Sequence, residues 1–119
     1  MPATDEPREL DPEDAKIVTL ARSARARIGA AEGAAVRDTD GRTYSAATVE
    51  LASLRLTALQ AAVAAAVSSG APGLEAAALV TTASSVDADS LACLRDLAPA
   101  APVLLVDPSG AVLETVAAP

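Results

Sequence analysis

The sequence predicts an α/β domain of three layers, helices on both faces of a mixed sheet of about five strands. Three observations carry that expectation. The inferred elements run helix, strand, strand, helix, strand, helix, strand, strand. Residues 74–82 and 102–106 are short apolar runs bounded by turn signals, as strands are. Hydrophobic residues make up 51% of 119, enough for the core of one compact domain.

Each element follows from local chemistry. Residues 1–10 carry Pro and acids without periodicity and are expected to form a mobile tail, leaving 11–119 as the domain. Asp11-Pro12-Glu13-Asp14 opens a helix. Asp11 can cap it, Pro12 suits its first position, and the acids favour the positive end of the dipole. Ile17, Leu20, Ala21 and Ala24 follow at helical spacing, and Gly29 is the stop. Residues 33–37 form a strand, Asp38-Thr39-Asp40-Gly41 a hairpin turn, and 42–49 the returning strand. Residues 51–69 are expected to be helical and, being apolar almost all round, buried in the middle of the fold. Gly70-Ala71-Pro72-Gly73 ends that helix, and 74–82 is the third strand. Residues 87–97 form a capped helix and 102–106 a fully apolar strand. Asp107-Pro108-Ser109-Gly110 turns into a last strand over 111–116. There is no internal repeat.

Tyr44 is the one aromatic residue, so the core consists of Ala, Val and Leu. Small side chains bury little area each, so this core needs close packing of its elements, and self-association would add stability. A net charge of −7 removes long-range attraction to nucleic acid or anionic lipid, and Tyr44 alone is no base-stacking platform. Cys93, the one cysteine, excludes an intrachain disulfide. The first residues lack the basic start and apolar run of a signal peptide. The longest apolar stretch, 58–67, is too short to span a bilayer. The expectation is a cytoplasmic protein with no membrane and no nucleic-acid partner.

Two stretches carry a resemblance. Residues 33–51 read GAAVRDTDGRTYSAATVEL, and 57–70 read TALQAAVAAAVSSG. They resemble the cytidine deaminase family, small zinc-dependent enzymes of the homotetrameric type. In that family a Gly-Ala-Ala strand, an Asp-Gly turn and a strand ending Asn-(Val/Ile)-Glu-Asn precede a helix opening Cys-Ala-Glu-Arg. The family's Pro-Cys-x-x-Cys motif is matched in place by Asp89-Ser90-Leu91-Ala92-Cys93. The resemblance spans roughly 12–117 and implies the cytidine-deaminase fold.

It also implies roles by position. The family's three zinc ligands fall at Thr57, Ser90 and Cys93, and its proton-shuttling glutamate falls at Leu59. Neutral hydroxyls bind zinc poorly, and leucine transfers no proton. The asparagine that holds the sugar hydroxyl falls at Thr48, while its glutamate partner is kept as Glu50. The second asparagine falls at Leu51, and the aromatic that packs on the pyrimidine falls at Ala30. Here zinc, the cofactor that the resemblance implies, is expected to be absent. Thr48 and Glu50 are the remaining candidates for substrate binding.

The leading expectation is a degenerate member without catalytic residues, acting as a binding or assembly module. Two alternatives accompany it: an active cytidine or aminopyrimidine nucleoside deaminase, hydrolytic and with an atypical metal site, and a nucleoside sensor without catalysis. Partners would be a nucleoside or a protein, and the resemblance implies a homo-oligomer, dimer or tetramer. Cys93 reads as a small core residue, and Thr57 and Ser90 as hydroxyls bonded to nearby backbone or lining a small polar pocket. Arg22, Arg25 and Arg27 make a basic stripe on the first helix, solvated or facing an acidic partner. The chain has no phosphate-cradling glycine loop, and the lack of histidine excludes Ser-His and Cys-His triads.

Overall fold

A computed structural model describes residues 10–117. The tail expected over 1–10 lies outside the described residues except for Leu10, which packs half-buried against the core.

Helix α1 (Pro12–Ile28) starts as its sequence dictates. The Asp11 carboxylate accepts from Glu13 N at 2.8 Å, and Gly29 ends the helix in the left-handed region at φ 64°. Strands β1 (Gly33–Asp38) and β2 (Thr43–Ala47) pair as an antiparallel hairpin. Two short strands, β3 (Val49–Glu50) and β4 (Arg55–Leu56), pair separately. Helix α2 (Ala58–Ser68), β5 (Leu74–Val80), α3 (Ala88–Leu97), β6 (Val103–Val106) and β7 (Val112–Val116) follow.

The five-stranded sheet has the order β2-β1-β5-β6-β7. Only β5 and β6 are parallel, and α3 makes the crossover that a parallel pair requires. Alternation along the strands divides the core in two. Ala35, Ala76, Ala78, Val80, Leu104 and Val106 face α1, where Ile17, Val18 and Ala21 meet them. Ala34, Val36, Ala77, Leu79, Val103 and Leu105 face α2 and α3. The three layers are therefore α1, the mixed sheet, and α2 with α3, as the sequence predicts.

Close approach replaces bulk in this core. A Cβ on Gly33 would lie 2.1 Å from Ala21 O and 2.8 Å from Arg25 N, so β1 reaches α1 only through a glycine. Arg37 ties the layers from outside, bonding Asp14 at 3.0 Å and Glu75 at 2.6 Å.

Two expectations need correction. The helix expected over 51–69 begins only at Ala58. Residues 51–57 form a turn and β4, with Leu51 N donating to Leu54 O at 2.9 Å. That short hairpin also breaks the strand expected over 42–49 after Ala47. Nor is α2 buried all round: Ala58, Leu59, Ala62, Val63 and Ala66 are buried, but Val67 is 54% exposed. Its other face has no cover among the described residues. Among the described residues no helix is long and apolar enough to cross a membrane.

Candidate functional site

Two helix N-termini meet at the carboxyl end of the parallel pair β5–β6, the end where open α/β sheets place ligands. Thr57 caps α2 through a reciprocal box. Its Oγ1 accepts from Gln60 N at 3.2 Å, and its own N donates to Gln60 Oε1 at 3.0 Å. Asp87 caps α3, its Oδ2 accepting from Ser90 N at 3.1 Å. Thr57 Oγ1 lies 2.6 Å from Ser90 Oγ, and Ser90 Oγ lies 3.3 Å from Asp87 Oδ2.

One direction satisfies every donor. Gln60 N donates to Thr57 Oγ1, the Thr57 hydroxyl donates to Ser90 Oγ, and the Ser90 hydroxyl donates to Asp87 Oδ2. Of the pair expected to bond to nearby backbone or line a small polar pocket, Thr57 does both, accepting from Gln60 N and lining a cleft, and the two hydroxyls also bond each other across two helices. Ser90 is 2% exposed, Thr57 and Gln60 are half-buried and Asp87 is exposed, so the network runs from the interior to the surface.

The arrangement does not fit zinc. The two hydroxyls spend their protons on a closed relay, and neutral hydroxyls are poor zinc donors. Cys93, one turn beyond Ser90 on α3, is half-buried against the core and lines a groove between α2 and α3 with Leu56, Val63, Val67 and Leu97. Burial, then the charge of Asp96, push its thiol above the usual range. It is neither a core residue sealed from solvent nor an activated nucleophile. Among the described residues no cluster of three or more His, Cys, Asp or Glu could hold a metal. Leu59 is fully buried among Ala34, Val36 and the α2–α3 core, so no group that moves protons stands at its position.

Beside the network lies a cleft of about 460 Å³, lined by Thr48, Glu50, Arg55, Thr57, Gln60 and Thr81 among others. That size suits one small molecule. Glu50 and Arg55 oppose each other across β3–β4 and are both exposed. Thr48 reaches the cleft, but its hydroxyl is held locally: Oγ1 accepts from Glu32 N at 3.1 Å and faces Glu32 O at 3.4 Å. Ala30 is half-buried, and its neighbour Ala31 lines the cleft instead. Leu51 is 60% exposed and lies outside it.

Thr48, Glu50 and Thr57 line one cleft and Ser90 bonds to Thr57 beside it, whereas sequence reasoning gave Gln60, Arg55 and Thr81 no role and read Asp87 only as a helix start. Thr57-x-x-Gln60 is the signature of a capping box and marks the true start of α2. Arg55 and Thr81 carry no local signal, because only the fold brings 48–57 beside 81–83.

A family model described as "Cytidine deaminase-like" matches residues 10–110. No curated protein matches the chain. Among solved structures, the chain is similar to a cytidine deaminase from Burkholderia pseudomallei, with 23% identity and a TM-score of 0.75 over 86% of this chain and 90% of that one. It is similar to a cytidine deaminase from Mycobacterium leprae, with 22% identity and a TM-score of 0.68 over 88% and 94% of the two chains. A mutant cytidine deaminase from Mycobacterium tuberculosis gives 24% identity and a TM-score of 0.69 over 92% of each chain. At these identities the likeness to solved structures fixes the fold alone.

Proposed function

The chain belongs to the cytidine deaminase-like family, and from that premise we propose that it is a catalytically silent member that binds a small ligand rather than converting it. The observation that carries this reading is the Thr57–Ser90 hydrogen bond of 2.6 Å beside a buried Leu59. Hydrolytic deamination needs an activated water and a proton carrier. Here the hydroxyls are closed on each other and the carrier's place holds a hydrocarbon. The cleft above them keeps polar walls and the volume for a nucleoside-sized ligand, with Glu50 and Arg55 at its rim. A reducing compartment, the cytoplasm, suits a chain with one unpaired thiol.

The test joins metal content to turnover on untagged protein. Mass spectrometry should find far less than one zinc per chain, and cytidine should persist with or without added zinc. Calorimetric titration with cytidine and uridine should show saturable heat. Stoichiometric zinc with zinc-dependent loss of cytidine would overturn the silent reading, and an absence of heat would overturn the ligand.

A second reading, assembly, rests on a separate observation. The apolar groove between α2 and α3 has about 650 Å³ and an exposed Val67 at its edge. Such a face suits a second copy of the chain. Light scattering should give a multiple of 11.8 kDa, falling to that mass on Val67→Glu. A wild-type mass of 11.8 kDa at micromolar concentration would remove this reading.

A further inference from the structure

On the opposite layer from the α2–α3 groove, α1 carries Thr19, Arg22, Ser23 and Ala26 at spacing i, i+3, i+4, i+7, a single helical stripe. With Arg25, Val80 and Pro108 these residues line a separate concavity of about 270 Å³. Val80 ends β5, and Pro108 lies two residues past the end of β6. The concavity therefore opens at the carboxyl end of the two parallel strands, on the α1 side of the sheet.

Its lining is cationic and rich in donors. Arg25 commits Nε to Ala31 O at 3.2 Å, which fixes the side chain and leaves both terminal nitrogens unspent among the described residues. The Arg22 guanidinium lies against Gly110: a Cβ there would meet Nη1 at 2.9 Å and Cζ at 3.1 Å. Gly110, at φ 97°, thus leaves the space in which Arg22 rests. Among the described residues the ion pairs are those of Arg37 alone, so neither Arg22 nor Arg25 is neutralised by a carboxylate within 4.0 Å. Asp107 adjoins Pro108, but its Oδ1 already accepts from Ser109 N, Ser109 Oγ and Ala111 N. Among the described residues no acidic side chain lines the concavity.

We propose that this concavity is a binding site for a phosphoryl group, held between the Arg22 and Arg25 guanidiniums with the Thr19 and Ser23 hydroxyls as further donors. Two planar forks and two hydroxyls match the several oxygens of a phosphate better than the two of a carboxylate. The volume falls below the roughly 300–1,000 Å³ of pockets that enclose a drug-sized molecule, so the site takes free phosphate or the phosphate end of something larger. The net charge of −7 opposes anions at long range, but screening confines that field to about 8–10 Å at ordinary salt. Two cations in a concave wall govern the contact itself.

The test is a nitrogen–proton NMR titration of the full chain with inorganic phosphate, run against sodium chloride at matched ionic strength. Saturable shifts are expected at residues 19–26, Val80 and Ser109 with phosphate only, while Thr57 and Ser90 stay still. Arg22 is exposed and makes no hydrogen bond among the described residues, so Arg22→Gln should fold normally and weaken binding by about tenfold. Ser23→Ala should weaken it less. A parallel titration with uridine 5′-monophosphate separates the sources: tighter binding than phosphate assigns the end of a larger ligand, and weaker binding assigns the free anion. Shifts that never saturate, that chloride reproduces, or that Arg22→Gln leaves at full strength would overturn the site.

Discussion

Thr57 Oγ1 and Ser90 Oγ lie 2.6 Å apart although 33 positions separate them in the chain. Their bond joins the N-terminal cap of α2 to the first turn of α3 and is partly buried, Ser90 being the buried partner. Thr57→Val keeps the shape and removes both the cap and the bond, so it should cost about 1–2 kcal/mol of stability. Ser90→Ala should cost about 1 kcal/mol. Because the two share one interaction, the double variant should be less unstable than the sum by about 0.5–1.5 kcal/mol. Urea unfolding of the four proteins measures this, and strict additivity would mean that the bond carries no energy of its own.

Reinstating a carboxylate at Leu59 should not restore chemistry. The position is fully buried within the hydrophobic cluster of the sheet, α2 and α3. Leu59→Glu should lower stability sharply and leave cytidine untouched, because an unpaired buried carboxylate is costly. Leu59→Ala, which only empties volume, should cost about 2–5 kcal/mol. A folded Leu59→Glu variant with zinc-dependent turnover would show that the site needs one residue rather than a ligand set.

The order of elements was legible because each rests on local rules. Asp11 and Asp87 cap where caps belong, Gly29 stops α1, and apolar runs mark β5 and β6. The stretch 51–57 misled because Leu51, Leu54 and Leu56 imitate a helical stripe, yet Leu51 and Leu54 face solvent around the β3–β4 hairpin. The capping box at Thr57 was the better signal and competed with that periodicity. The site was half legible. Spacing can place Thr57 and Ser90 at two helix starts, but their contact depends on how α2 and α3 pack. Arg55 enters the cleft only because β4 folds back on β3.

The β1–β2 hairpin should be an acid-sensitive part of the fold. Asp38 has no exposed surface and accepts from Asp40 N and Arg42 N at 2.9 Å each and from Tyr44 Oη at 2.8 Å. Burial alone would raise its pKa, but the Tyr44 hydroxyl and the two backbone donors outweigh it, and the carboxyl sits below its ordinary value. A depressed folded pKa gives stability that is present above the unfolded pKa of about 3.9 and lost as pH falls through the folded one. Stability should therefore hold near neutrality and decline below about pH 4. Tyr44→Phe should melt lower at pH 7 and flatten the acid decline, because the same bond favours the charged form. Melting curves from pH 2 to 7 test this, and an unchanged pH profile in Tyr44→Phe would contradict it.

Cys93 should react slowly. Burial and the neighbouring Asp96 both hold the thiol protonated. Alkylation by iodoacetamide at pH 7.5 should run slower than that of a free cysteine and approach it in urea. Asp96→Asn should speed the folded protein modestly, since it removes only the second of the two causes. A rate above that of free cysteine would mean that an unseen cation activates the thiol.

Gly33 should be the least replaceable small residue of the sheet. An added Cβ meets Ala21 O at 2.1 Å and Arg25 Cβ at 2.8 Å, and the first of these belongs to the backbone of α1 and cannot swing away. The helix must then lift from β1, loosening the contacts of Ala21 and Ile17 with Ala35 and Ala78. Overpacking of this kind costs about 1–3 kcal/mol, and a backbone obstacle places Gly33→Ala toward the upper part of that range. Gly73→Ala is the control: its Cβ would find Thr39 Cγ2 at 3.6 Å, an ordinary contact. Chemical denaturation should separate the two by more than 1 kcal/mol, on the order of the overpacking cost alone. Equal losses would mean that α1 yields at no cost, and that the close approach is not what holds this alanine-rich layer in place.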